Sequence, residues 1–158
     1  MIKIYRTHDM PLKFNVDTLR GMKLDNTCFH RCLLNNFNMS NASFVGCDFC
    51  SAKMRKSDFN HSNFDESRLI MVEGNSNFDY CTFKKALVLH NNFCGSSFQY
   101  ADFSDSVIKN DDFSKCDLRG AKITCDGLES CSWIDAIYDD STLWQEDFKA
   151  YEYGAIKV

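Results

Sequence analysis

The sequence predicts an all-β solenoid built from four-sided coils. Three observations carry this: a column of large apolar residues spaced by five, a column of small residues two positions ahead of it, and a single one-residue slip between two unbroken runs. The large column starts Phe14, Leu19, Leu24, Phe29, Leu34 and continues in step to Leu69. After a slip near Gly74 it resumes at Phe78, Phe83, Val88, Phe93 and runs to Trp133. The small column holds Cys32, Ala42, Cys47, Ala52 and Ser57 before the slip and Cys81, Ala86, Ser96 and Ala101 after it, with Phe37, Asn91, Asp111 and Asp126 as exceptions. A period of five matches neither the ~3.6 of an α-helix nor the 2 of a flat strand. It matches a chain that turns a corner every five residues, with the large and small side chains inward and the other three toward water. Four sides close a coil of about twenty residues, and coils stack at about 4.8 Å. One coil cannot bury its own apolar column, so stability comes from stacked neighbours. A helical repeat is disfavoured, because it needs apolar residues at i, i+3, i+4 and i+7.

The elements follow in order. Residues 1–13 are expected to cap the first coil, with Ile2, Ile4 and Tyr5 as packing residues. Residues 14–133 form about six coils, a rod roughly 30 Å long. Residues 134–158 are expected to form a C-terminal cap, with a short helix near 145–151 and Trp144, Phe148, Tyr151 and Tyr153 covering the last coil or joining a second copy. Such caps are required because end coils expose strand edges and core. The whole 1–158 is read as a single domain.

Composition limits the classes of function. The chain has 158 residues, 44% hydrophobic and 25% charged, which excludes wholesale disorder. One proline and seven glycines exclude collagen-like and linker-like character. No apolar run approaches the ~20 residues of a membrane span. The N-terminus lacks the apolar centre of a signal peptide, and nine cysteines, an odd number, fit a reducing compartment, so a cytoplasmic location is expected. A net charge of −4 argues against gripping nucleic acid phosphates directly.

Several five-residue units, Ala101-Asp102-Phe103-Ser104-Asp105, Cys116-Asp117-Leu118-Arg119-Gly120, Ser57-Asp58-Phe59-Asn60-His61 and Ser62-Asn63-Phe64-Asp65-Glu66, resemble the A(D/N)LXX unit of the pentapeptide-repeat family. The resemblance covers residues 17–133. It implies a right-handed quadrilateral β-helix. It is weakly specific for function: known members include DNA mimics that protect DNA gyrase from drugs and domains of secreted bacterial effectors. The tail from Ile137 to Phe148 resembles a closing segment of many members, with Gln145 where the family usually has proline. Some members dimerise through that segment, so a homodimer through the tail is one expected association.

Residues twenty apart lie above one another. Tyr80 and Tyr100 are therefore expected to stack on one outer face, with Gly120 following. Ile70, Met71, Leu87, Leu89 and Val107 form an outward apolar patch on another, if the slip is a simple shortening of one side rather than a loop folding back over Leu87 and Leu89. Exposed apolar clusters often mark partner sites, so these residues, with Tyr80 and Tyr100, are the candidate partner-binding surface. The first expectation is a non-enzymatic protein-interaction module or scaffold. The alternative is a DNA mimic that binds a type II topoisomerase, such as gyrase, and protects it from inhibitors. The latter needs a continuous acidic surface, but Asp65, Glu66, Asp102 and Asp105 are interspersed with Lys84 and Lys85, and another face carries Lys53, Arg55 and Lys56.

Catalytic and metal chemistry find little support. Cys47 and Cys50 form a Cys-x-x-Cys, but one is inward and the other outward of Phe49, whereas zinc sites need converging thiolates. Cys32, Cys47, Cys81, Cys116 and Cys131 are read as small buried apolar groups, and Cys28, Cys50, Cys94 and Cys125 as the reactive ones if exposed. His30 and Cys50 share a face without a third group to orient them. No catalytic residue, metal or cofactor is expected.

Overall fold

The computed structural model describes residues 1–158 and is a right-handed quadrilateral β-helix without α-helices. Its unit is a turn. The residue two places after each large apolar residue takes a left-handed backbone, as in Asn26 (φ 56°), Arg31 (55°), Asn36 (63°) and Asn41 (59°), and this recurs every five residues. The next N–H commonly returns to the carbonyl of the large residue, as Cys32 N–H does to Phe29 (3.0 Å) and Ala52 to Phe49 (3.0 Å). That is a type II turn. Bulky residues such as Lys56, Tyr80 and Lys85 sit there despite positive φ, at a cost of about 1 kcal/mol or more each. The stacking of the coils offsets it.

Between turns, neighbouring coils exchange parallel ladder bonds, such as Phe44 N–H to Asn63 O (2.7 Å) and Asn63 N–H to Ala42 O (3.0 Å). Most pairs are isolated bridges twenty residues apart, from Lys23↔Ser43 to Asp117↔Ile137. Four faces result, numbered in chain order by their inward residues: Leu24/Phe44/Phe64, Phe29/Phe49/Leu69, Leu34/Met54/Gly74 and Met39/Phe59/Phe78. The rings of one face stack almost plane to plane, with centroids 4.9 Å apart for Phe29–Phe49, 5.2 Å for Phe59–Phe78 and 4.6 Å for Phe83–Phe103. This spacing follows the coil repeat and suits offset aromatic packing.

The small column is more than filler. The hydroxyl or thiol there donates to the carbonyl of the large residue one coil earlier: Ser62 to Met39 (2.9 Å), Ser96 to Gly74 (2.7 Å), Cys47 to Leu24 (3.1 Å) and Cys81 to Phe59 (2.9 Å). Serine oxygens also accept the backbone N–H of the small residue above, as Ser76 Oγ does from Ser57 (2.9 Å). Buried backbone groups that the turns leave over are thereby satisfied.

Strands β1 (Ile2–Ile4) and β2 (Leu12–Phe14) form an antiparallel hairpin that buries Ile4, and Tyr5, just after β1, joins the hairpin to the first coil by accepting Leu33 N–H (2.8 Å). On the second face, β3 (Arg68–Ile70), β4 (Leu87–Leu89) and β5 (Val107–Lys109) make a three-stranded parallel sheet. Beyond residue 133 the ladder continues: β6 (Lys122–Ile123) pairs with β8 (Leu143–Trp144), and β7 (Ile137–Tyr138) with β9 (Ile156–Lys157). The tail thus adds a wider coil, in which Trp144 packs edge-on to Trp133 (5.2 Å). The short helix expected at 145–151 is a 3-10 turn at Ala150–Tyr153.

The register breaks twice. At the first break, bridges change from twenty residues (Lys53↔Glu73) to nineteen (Asp58↔Asn77, Glu73↔Asn92). Gly74 occupies a large-residue position, and the left-handed turn residue that should follow Asn75 is missing, so the side is shortened and no loop protrudes. The second break was hidden in the sequence. A turn residue is missing between Thr124 and Cys125, and a 3-10 turn at Leu128–Ser130 after left-handed Gly127 (φ 92°) restores the count. Asp126 consequently pairs with Val107 and is exposed, and Cys125 moves into the buried column. This corrects the reading of Asp126 as an inward exception and of Cys125 as a reactive thiol: Cys125 is buried, and burial pushes its thiol up to about 12.

Candidate functional site

The second-face sheet places Leu69, Val88 and Ile108 inward and fully buried. Its outer surface carries Arg68, Leu87 and Val107 in one row and Ile70, Leu89 and Lys109 in the other. Ile70, Leu87, Leu89 and Val107 are half-buried, because each shields its neighbour one coil away, while Met71 is 56% exposed at the corner. Nothing lies over Leu87 and Leu89: Ile70 is held in the sheet and Met71 N–H bonds Leu89 O (3.0 Å). Aliphatic cross-strand pairs also stabilise a sheet directly, so this patch has a structural use of its own.

At the corner that ends this face Met71, His90 and Asn110 keep the left-handed turn backbone, but side-chain acceptors replace the carbonyl that closes the turn elsewhere. Val72 N–H donates to Asn91 Oδ1 (2.7 Å), and Asn91 N–H to Asp111 Oδ1 (2.7 Å). Asn91 Nδ2 donates to Leu69 O (2.9 Å) and to Asp111 Oδ1 (2.8 Å), and Lys109 N–H donates to Asp111 Oδ2 (3.1 Å). These exceptions to the small column therefore do what serine does elsewhere. Burial pushes the Asp111 carboxyl up to about 7, against the N–H donors, which favour its charged form.

Tyr80 and Tyr100 lie on a different corner, between the fourth and first faces, and do not join the aliphatic patch. Their rings stack at 4.9 Å. His61 extends the stack onto Tyr80 at 4.6 Å, a member that only a nineteen-residue step across the first break reveals. Tyr100 packs against the bare backbone of Gly120, where a Cβ would come within 2.4 Å of its ring.

Charges on the rod are interleaved and paired, between coils for Arg68 with Asp48 (3.8 Å), Lys84 with Asp102 (3.3 Å) and Arg55 with Glu73 (2.9 Å), and within one coil for Arg119 with Asp117 (2.7 Å). Cys47 is buried and Cys50 half-buried, so the Cys-x-x-Cys does not converge. The depressions in the surface are open and mainly polar, one near Asp111, Ser130 and Ser132 and another near Arg55, Glu73 and Asn75. The second was missed from sequence, although the slip and the basic run Lys53–Lys56 were both visible.

The family model described as pentapeptide repeats matches eight copies over residues 38–69 and 92–124. No curated protein matches the chain. Similar solved structures include a pentapeptide repeat protein from the Arabidopsis thaliana thylakoid lumen, at 20% identity and TM-score 0.46, covering 60% of this chain and 67% of that one. HetL, involved in heterocyst differentiation regulation in Nostoc sp. strain PCC 7120, shares 19% identity at TM-score 0.41, with 86% of this chain and 55% of its own covered. QnrB1, a plasmid-mediated fluoroquinolone resistance protein, shares 12% identity at TM-score 0.34, with 87% and 92% covered. At these values the likenesses carry over no partner and no activity. The matched repeats, together with the left-handed turn that recurs every five residues and the ladder that steps by twenty, show that the chain carries pentapeptide repeats.

Proposed function

We propose that this protein is a non-enzymatic interaction module, working in a reducing compartment such as the cytoplasm, whose second face docks a partner protein with a complementary aliphatic surface. The observation that carries the reading is the uncovered outer patch of Ile70, Leu87, Leu89 and Val107 with Met71 beside it, on a rod whose other outward positions are mostly polar. Apolar area of this kind is what a protein interface uses at its centre. Tyr80 and Tyr100 offer a separate aromatic strip for recognition at another corner.

The gyrase-binding alternative is less favoured. A mimic must present phosphate-like charge without interruption, and here Asp48, Asp102 and Asp117 each face a cation. At the tail end, Leu143, Ile156 and Val158 are exposed, which supports self-association there as a further contact.

Affinity capture from the source cells, with wild type beside a Leu87→Asp/Leu89→Asp variant, tests the reading. A partner held by wild type and lost at least tenfold in a folded variant supports it. Equal recovery with both proteins overturns the choice of face. Inhibition of gyrase supercoiling that survives the double substitution would support the mimic instead. Light-scattering mass measured with and without Leu143→Asp tests the tail contact.

A further inference from the structure

The first register break leaves a notch at the corner of the third face, and its lining is unlike the rest of the surface. The missing turn residue should have stood between Lys56 in the coil above and Gly95 in the coil below. In its place is a cleft of about 280 Å3, lined by Arg55, Lys56, Glu73, Gly74, Asn75 and Asn92. No apolar side chain lines it. The same stretch holds the densest run of cations in an acidic chain, Lys53, Arg55 and Lys56.

The polar groups there are not all in use. Glu73 is engaged on both oxygens, by Lys53 (3.6 Å) and by Arg55 (2.9 Å). One carboxylate thus answers two cations, and Lys56 has no acidic partner within 4.0 Å. Neither the backbone N–H of Asn75 nor Nδ2 of Asn92 makes a hydrogen bond within the chain, although Asn75 Nδ2 is held by Cys94 O (2.8 Å) and Asn92 Oδ1 accepts from Cys94 N–H (3.1 Å). In a regular coil the amide that corresponds to Asn75 can bond a side-chain oxygen of the coil above, as Arg55 N–H does with Asn35 Oδ1 (2.8 Å). Above Asn75 stands Arg55 itself, which has no acceptor.

We infer that this notch is a binding site for an oxyanion, with Lys56 and Arg55 supplying charge and the Asn75 amide and Asn92 Nδ2 supplying neutral donors. The ligand class is a phosphate group, free or as a small phosphate monoester. Charge-assisted bonds from a guanidinium and an ammonium to phosphate oxygens are the strong ones. Glu73 sets the specificity: by holding Arg55 in place it fixes one donor, and by its own charge it rejects a ligand that brings a second carboxylate.

The test is an amide NMR titration of the full chain with inorganic phosphate, at constant ionic strength kept with chloride. Saturable shifts confined to residues 55–56, 73–75 and 92 are expected. Lys56→Asn should weaken the fitted affinity at least fivefold, and Lys85→Asn, at an equivalent corner (φ 57° against 58°), less than twofold. Asparagine tolerates the left-handed backbone, so neither change threatens the fold. Methyl phosphate, a monoester without a carboxylate, in a second titration separates free phosphate from a monoester: tighter binding of either one identifies the source. Shifts spread over all basic residues, equal shifts with sulfate-free chloride alone, or no change in Lys56→Asn would overturn the site. A serine inserted between Asn75 and Ser76 restores the missing turn residue and should abolish binding; retained binding would also overturn it.

Discussion

The two register breaks solve the same problem in opposite ways. At Gly74 a turn residue is lost outright, and every coil below is displaced by one position. At Cys125 a turn residue is also lost, but Gly127 and the 3-10 turn at Leu128–Ser130 return it three residues later. The first break leaves a polar notch and costs little backbone strain. The second leaves no net shift, but needs a backbone that only glycine adopts readily, with no room for a Cβ beside Ile108 O. A loss of one residue is therefore tolerated either with every coil below displaced or with a strained turn that restores the count, and the second corner too keeps a depression, between Asp105, Thr124, Cys125 and Gln145. Between them runs the side-chain ladder from Val72 through Asn91 to Asp111, which closes the corner of the intervening coils.

The largest effect separating the breaks is chemical. Because the second break draws Cys125 inward, its thiol is pushed from 9.0 up to about 12 by burial. Its thiolate population at neutral pH is then about a thousandfold lower than that of an ordinary thiol. Alkylation followed by peptide mass spectrometry should label exposed Cys28 first, then half-buried Cys50 and Cys94, and leave Cys125 unmodified until the protein unfolds. Rapid labelling of Cys125 would mean that the chain keeps simple five-residue steps through residue 125.

The ladder between the breaks should respond to pH. Asp111 has its carboxyl raised from 3.8 to about 7 in the folded chain. The native state then holds this proton more tightly than the unfolded state. Its contribution is fully present below about pH 4 and is lost as pH rises through about 7. The loss amounts to at most about 4 kcal/mol. Lys109 and Asp112 flank it on its own coil and Cys131 lies below; burial also pushes the Cys131 thiol up, to about 11, so it stays neutral across this range. Urea unfolding from pH 4 to 8 should show a falling stability that Asp111→Asn flattens, since an amide still accepts the Asn91 N–H. An unchanged slope in the variant would assign the pH dependence elsewhere.

Gly127→Ala tests the strained break directly. A Cβ there would lie 2.2 Å from Ile108 O, at φ 92°. A destabilisation of about 3 kcal/mol is expected from strain and forced displacement. Thermal unfolding of the variant measures it. A loss below 1 kcal/mol would show that the Leu128–Ser130 turn shifts freely.

How far the sequence could be read follows from the same contrast. Phe29, Phe49, Phe83 and Phe103 announce the coil because their positions are fixed by burial, and the first break shows itself because Leu69 and Phe78 are nine residues apart. The second break is silent because Ile123, Leu128 and Trp133 keep their spacing while Leu128 reaches the core from a 3-10 turn. Periodicity reports the net phase and not the path between. Outward residues are legible only through register: Tyr80 and Tyr100 were placed together by a step of twenty, and His61 escaped because its step is nineteen. The notch escaped for a different reason. It is made by a residue that is missing: the slip and the basic run Lys53–Lys56 are visible, but the spacing does not say which corner loses its turn.

The smallest expected effect lies at the open break. Gly74 stands where every neighbour on its face has a large residue, and its buried volume is taken by the Phe93 ring: an added Cβ would meet Phe93 Cδ1 at 3.1 Å and Cε1 at 3.2 Å, with Phe78 Cε2 at 3.7 Å. Its φ is outside the left-handed region, so alanine brings no backbone strain. It lowers the entropy of the unfolded chain, worth about 0.4–1 kcal/mol, but requires Phe93 to retreat by a few tenths of an ångström. Phe93 is held edge-on to Phe78 (5.7 Å) and Phe98 (5.4 Å), so that retreat is resisted, and the two effects should leave Gly74→Ala within about 1 kcal/mol of wild type. Chemical denaturation resolves a change of that size. A loss of more than about 2 kcal/mol, well beyond what the entropy gain could mask, would mean that Phe93 cannot yield and that the shortened side is as tightly determined as the strained one at Gly127.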